Sequence, residues 1–166
     1  IRDSSVTGVQ TCALPICAKT IEQFDFGRTP SVNRATVNDL LTCRFIGEAA
    51  PVHIVGPVGT GKSHLAQAIG HQAVRLGHDV FFATQSQLFG SLNRARLSGV
   101  HERRMKMLAK VAVLVIDDFA LKPIASPHDD DLHEIVAARY EKLPTVITSN
   151  LASEEWQEDR KSTRLN

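Results

Sequence analysis

"GPVGTGKSH", residues 56–64, follows the apolar run "VHIV" (52–55) and leads into "LAQAIGHQAVRLG" (65–77). Every fixed position of the pattern G-x-x-x-x-G-K-[ST] is filled. The run 52–55 reads as a short buried strand, and 63–76 carries Leu65, Ala66, Ile69, Ala73 and Leu76 at helical spacing. Strand, glycine loop and helix is the order in which such a loop holds phosphate. Gly56, Gly59 and Gly61 let the main chain turn so that successive N–H groups converge on an anion. The helix opening near Lys62 adds the positive end of its dipole. Lys62 can reach the β- and γ-phosphates of a nucleotide, and the Ser63 hydroxyl can complete a Mg2+ shell with phosphate oxygens and water. The candidate nucleotide contacts are therefore Gly56, Pro57, Val58, Gly59, Thr60, Gly61, Lys62, Ser63 and His64. The ring of His64 reads as a capping or packing group rather than a catalyst.

The two chain ends do not read as protein of the same origin. Residues 159–166, "DRKSTRLN", can be encoded by GAT CGG AAG AGC ACA CGT CTG AAC. The reverse complement of that string translates, residue for residue, as "VQTCALPI", which is 9–16. The string resembles a sequencing-library adapter, and "IRDSSVTG" fits its upstream part with a short index in frame. Residues 1–16 and 159–166 are therefore expected to be non-native tails, extended or irregular, and the apolar run at 14–17 is too short for a signal peptide. Setting them aside removes four of the 19 basic and two of the 18 acidic residues, so the net charge moves from +1 to −1. Cys17 and Cys43 remain, which is no metal spacing and no disulfide framework, and fits a reducing, cytoplasmic setting. The sequence holds no run of apolar residues long enough to span a membrane.

Between the tails, elements alternate. A polar lead-in with Phe24 and Phe26 precedes a helix expected over 35–45, so that 17–50 forms a helical lead-in to a core expected over 51–158. After the phosphate loop, strands are expected at 79–84, 111–119 and 144–150, and helices at 85–97, 101–109 and 129–141. Strands that are apolar throughout and separated by helices argue a parallel α/β sheet covered on both faces.

Two further signals end strands. "VLVIDDF" places Asp117 where open α/β sheets bind ligands, able to hold Mg2+ opposite Ser63, with Asp118 the candidate to activate a water. "TSN" closes the next strand, so Asn150 is expected beside Asp117, holding the lytic water or touching the γ-phosphate. A third feature is a basic run, "RARLSGVHERRMKMLAK": Arg94, Arg96, Arg103, Arg104 and Lys106 could neutralise duplex phosphates without reading sequence, or could simply be a solvated helix face. Arg139 reads as a packing or salt-bridge cation rather than a finger.

The segments "GPVGTGKSHLAQAIGHQAVRLGHDVFFATQSQL", "VLVIDDFALKPI" and "EIVAARYEKLPTVITSNLASEEW", with "KTIEQFDF" ahead of them, resemble the IstB-like ATP-binding proteins. These are helper ATPases of certain insertion sequences, related to DnaC-type helicase loaders within the AAA+ class. The resemblance implies a P-loop NTPase of AAA+ type, a three-layer sandwich with sheet order 5-1-4-3-2. It also implies ATP binding and hydrolysis, non-specific duplex DNA binding, nucleotide-dependent self-assembly and a transposase partner. By position, Lys62, Ser63, Asp117, Asp118 and Asn150 take the phosphate-loop, metal, hydrolytic and sensor roles. Val58 stands where the family usually has a second proline, Ser63 where threonine is commoner, and His133 where an aromatic is usual. Family members continue past the position of Trp156 into a fifth strand, a lid and an arginine that reaches a neighbour's nucleotide. The sheet expected here is therefore four-stranded, 1-4-3-2, truncated before the fifth strand and lid, with 52–55 at an open edge. A helicase loader shares every ATPase part and differs in its partner. A small-molecule kinase also begins with a phosphate loop, but would need an arginine-rich lid over an acceptor pocket.

Overall fold

The computed structural model describes residues 19–30, 32–121 and 123–150. Both tails and Trp156 lie outside the described residues. Helices α1 (Arg34–Leu41) and α2 (Arg44–Gly47) lead into β1 (Val52–Val55) and α3 (Lys62–Arg75). Then come β2 (Val80–Thr84), α4 (Gln85–Leu97), α5 (His101–Lys110), β3 (Val113–Phe119), α6 (His128–Arg139) and β4 (Thr145–Ser149). A single 3-10 turn, Ile21–Gln23, precedes them.

All strand pairs are parallel, in the order β1-β4-β3-β2. β3 and β4 are central, and their side chains alternate between two cores as the pleat requires. Val113, Val115 and Val146 join Val52, Ala66, Ile69 and Ala73 on the α3 face, whereas Leu114 and Ile116 join Leu88, Leu92, Leu108, Leu132 and Ile135 under α4, α5 and α6. Burial on both faces is why these strands read as unbroken apolar runs. Among the described residues β1 pairs only with β4, and Val55 at its end is 46% exposed, as expected of an edge.

Helix ends are set by local chemistry. Thr84 and Gln87 form a reciprocal capping box that starts α4 where β2 stops. Gly77 and Gly99 take left-handed φ of 88° and 70°, and the next residues, His78 and Val100, donate back to Ala73 and Ala95 to close α3 and α4.

The expected helix over 35–45 is interrupted. Cys43 has φ 57° and separates α1 from α2. In a continuous helix residues two apart project about 200° apart, so Cys43 and Phe45 could not both enter the α3-side core. With the break, both do.

The end of the sheet away from the phosphate loop is closed by one side chain. Arg139, 1% exposed in the last turn of α6, donates to the carbonyls of Leu108, Val111, Ala112 and Pro144 and to the Thr145 hydroxyl. Burial pulls its guanidinium down to about 10, which leaves it charged at neutral pH. Its five donors in a planar fork match this ring of acceptors, which a lysine cannot do. Arg139→Met should cost about 2–4 kcal/mol by stranding those acceptors, read as a lower denaturation midpoint in urea; Arg139→Lys should recover only part of it.

Candidate functional site

The loop between β1 and α3 turns through Gly59 (φ 84°) and Gly61 (φ 81°), conformations that side-chain-bearing residues rarely adopt. Gly61 is the N-cap of α3 and has no side chain to cap with, so the first N–H groups of the helix face outward for an anion. The loop is closed on itself. Lys62, 7% exposed, donates from Nζ to the Pro57 carbonyl at 2.8 Å, and the Thr60 hydroxyl donates to the same oxygen at 2.8 Å. The Gly56 N–H donates to the Ser149 carbonyl, which ties the loop's start to the end of β4. Val58 is 82% exposed at the tip.

The two acids sit across from it at the end of β3. Asp117 is 4% exposed and accepts a short hydrogen bond at Oδ1 from the Thr148 hydroxyl. That hydroxyl in turn accepts from the Asp118 N–H at 3.0 Å. Here the β3–β4 register slips between Ile116 and Phe119, and Asp118 stands in left-handed backbone at φ 54°. Two more bonds hold the distortion: Ser149 Oγ donates to the Phe119 carbonyl at 2.9 Å, and the Ala120 N–H donates to Gln85 Oε1 at 2.7 Å. Burial pushes the Asp118 carboxyl above the ordinary range, the neighbouring Asp117 charge adds to this, and the Lys62 ammonium opposes it. The Gly56–Ser149 bond and the strand order β1-β4-β3 bring the loop and the acids to the same end of the sheet.

Asn150, expected beside Asp117, follows β4 one residue beyond the Phe119–Ser149 pair. The β4 residue that touches both acids is Thr148. It was visible as the first letter of "TSN", and the ladder that pairs Ile116 with Ile147 carries it to Asp117 one residue later. Gln85 carried no sequence signal except its place immediately after β2.

Hard oxygen donors at Ser63 and Asp117 suit a small divalent cation such as Mg2+. Among the described residues no group of three or more His, Cys, Asp or Glu could hold a metal, so such an ion would draw the rest of its shell from phosphate and water.

The ring of His64 turns away from the loop interior: Nε2 lies 2.8 Å from the Thr20 carbonyl oxygen and the ring stands edge-on to Phe24. The five basic candidates separate into two kinds. Arg96 forms two hydrogen bonds to the buried Asp131 carboxylate at 2.6 Å and 2.5 Å, joining α4 to α6, with His101 beside it. Arg104 lays its guanidinium over the Phe81 ring, 4.8 Å from the centroid, and burial followed by the Arg94 charge lowers its pKa. Arg94, Arg103 and Lys106 are exposed, Lys106 in a loose surface pair with Glu102 at 3.5 Å. Arg96, Arg103 and Lys106 also line a cleft of about 530 Å³ at the start of α5.

A raised carboxyl pKa in the folded chain means that ionised Asp118 costs stability as pH rises through that value. An asparagine carries no charge there and tolerates left-handed backbone. Asp118→Asn should therefore melt at the same temperature as the parent or slightly higher at pH 7, with the difference vanishing toward pH 3. Thr148→Val, which strands both the Asp117 carboxylate and the Asp118 N–H, should lower stability by about 1–3 kcal/mol.

Comparison with known proteins gives the same fold. The family described as IstB-like ATP binding protein matches residues 2–165. A Geobacillus stearothermophilus protein named for ATP binding in insertion sequence IS5376 is 36% identical over 140 residues, 84% of this chain and 56% of the relative. The chain thus spans little more than half the length of that relative. Among solved structures, AMPPCP-bound DnaA from Aquifex aeolicus superposes with a TM-score of 0.72 at 24% identity, covering 88% of this chain and 47% of DnaA. The DnaC helicase loader superposes with a TM-score of 0.60 at 27% identity, covering 81% and 82%. The fold is α/β, of the P-loop AAA+ type. Among the described residues no helix is long and apolar enough to cross a membrane.

Proposed function

The chain belongs to the IstB-like ATP-binding protein family, and we propose that it binds ATP with Mg2+ at the loop 56–63 and, in its full-length form, hydrolyses it while assembling on DNA to recruit or activate a transposase. The observation that carries the nucleotide reading is a phosphate loop at the end of β1 beside Asp117 and Asp118 at the end of β3, with Thr148 of the intervening β4 bonded to both acids and Gly56 bonded to Ser149. The insertion-sequence name of the relative supports the transposition role. A second reading, loading of a replicative helicase, is favoured by the likeness to DnaC; copurification of a transposase or of a hexameric helicase with the full-length protein separates the two.

In this reading Lys62 leaves the Pro57 carbonyl for the β- and γ-phosphates, and the loop N–H groups orient them. Ser63 and Asp117 would hold Mg2+, which supplies charge neutralisation between the phosphates. Asp118, its proton affinity raised, accepts the proton of the attacking water, and Asn150 contacts the γ-phosphate end. Lys62→Ala should weaken a fluorescent ATP analogue by about 10- to 100-fold; unchanged affinity would remove the phosphate-loop assignment. Asp118→Asn should keep that affinity while slowing turnover of the full-length protein by about 10²- to 10⁴-fold.

For DNA, the candidates among the five that remain exposed to phosphate are Arg94, Arg103 and Lys106, the last only loosely paired with Glu102, because Arg96 and Arg104 are engaged within the fold. Three contacts per chain give a slope of log affinity against log salt near −3. Exchanging Arg103 and Lys106 together for glutamate should weaken binding to all duplexes alike, and unaltered binding in a filter assay would move the DNA surface elsewhere.

A further inference from the structure

We propose that the segment from Thr20 to Phe26 is a working part of the nucleotide site, with Phe24 and the His64 ring as positioning residues for the phosphate loop. This rests on the nucleotide reading above and extends it to side chains that touch no phosphate.

The observation is a continuous set of contacts from the lead-in to the first turn of α3. A Cβ on Gly61 would fall 2.7 Å from Cε2 of Phe24, so the phenyl ring lies directly against the glycine that opens the helix. Phe24 is buried with Val37 and Leu65, and Ile21, Phe26 and Ile54 pack around them. Its ring meets Phe26 edge-on at 4.8 Å and His64 edge-on at 5.3 Å. Phe26 is covered in turn by the Arg34 guanidinium at 4.6 Å, which ties the lead-in to α1. Nε2 of His64 lies 2.8 Å from the Thr20 carbonyl oxygen. A carbonyl can only accept, so that nitrogen carries the proton and donates.

These contacts bear on the donors that matter. The N–H of Leu65 is used within the helix, by the Gly61 carbonyl at 2.9 Å. The N–H groups of Lys62, Ser63 and His64 belong to the first turn, where helices have no internal partner, and their direction is fixed by the left-handed dihedral of Gly61. Phe24 backs that glycine on one side, and His64 anchors the turn to the lead-in. With the turn fixed, Lys62 can exchange the Pro57 carbonyl for phosphate without the helix start moving with it. The same contacts account for a histidine directly after Ser63 with no place in the phosphate chemistry.

The test is titration of the 166-residue chain with a fluorescent ATP analogue and Mg2+, alongside circular-dichroism melting, for the parent and for His64→Ala, His64→Gln and Phe24→Leu. His64→Ala should weaken the analogue about three- to tenfold, the worth of one lost hydrogen bond, with the melting temperature little changed. His64→Gln, whose amide can still donate to Thr20, should recover most of the affinity. Phe24→Leu, which keeps volume but loses the flat ring behind Gly61, should fall between them. Equal affinity of parent and His64→Ala overturns the proposal while leaving the nucleotide reading intact. So does a loss that tracks a lowered melting temperature and is not rescued by glutamine. A parent chain that fails to bind the analogue at all overturns the nucleotide reading itself.

Discussion

The guanidinium of Arg139 is the contact on which the central sheet depends. It is a buried cation whose partners are four carbonyls and one hydroxyl, drawn from the end of α5, the start of β3 and the start of β4. Parallel strands enter from the same side, so their N-terminal ends leave carbonyls clustered with no ladder partner. Water would satisfy them at a surface, but α5 and α6 cover this end. One planar fork of donors resolves the problem and fixes where β3 and β4 begin relative to each other. The pairing of Leu114 with Thr145, and of each residue after it up to Ile116 with Ile147, follows from that start.

At the other end the regularity is given up. The β3–β4 ladder slips after Ile116, Asp118 takes left-handed backbone, and Ala120 follows it at φ 60°. Such conformations cost about 1–3 kcal/mol each and persist only when their surroundings over-determine them. Here they do: Thr148 bonds both acids, Ser149 holds Phe119, and Gln85 holds Ala120. A sheet anchored at its base by Arg139 can tolerate a distorted rim, and that rim is where the charged groups converge.

Much of this was legible in the chain. The glycine loop and the four apolar strands could be read because burial on both faces leaves an uninterrupted apolar signature, and the loop's pattern has few other uses; the strand order followed from the family resemblance, not from the apolar pattern. Element limits differ by a residue or two, as at α6, which ends at Arg139 because Tyr140 turns to extended backbone. The break at Cys43 was not legible, since 35–45 carries helical spacing and no glycine or proline. Nor was the role of Thr148, which carried no signal beyond its place at the end of an apolar strand. The regular ladder, with Ile116 opposite Ile147, carries Thr148 to Asp117, and the slip that follows leaves Ser149 opposite Phe119 and Asn150 one residue beyond the pair.

The basic run shows why charge is harder to read than burial. In sequence, Arg94, Arg96, Arg103, Arg104 and Lys106 are equivalent cations. In the fold, the hairpin of α4 and α5 sends Arg96 to Asp131 and Arg104 onto Phe81, because a long side chain whose stem lies over the core can reach an acid or a ring there. An apolar residue has one place to go, and its position is decided by periodicity. An arginine has several, and the choice among them is made by residues distant in sequence: Asp131 for Arg96, and for Arg139 chiefly the carbonyls of Leu108, Val111 and Ala112 between α5 and β3. Composition can therefore announce that a surface is basic, but which of its cations remain free for a polyanion is a property of the packed structure.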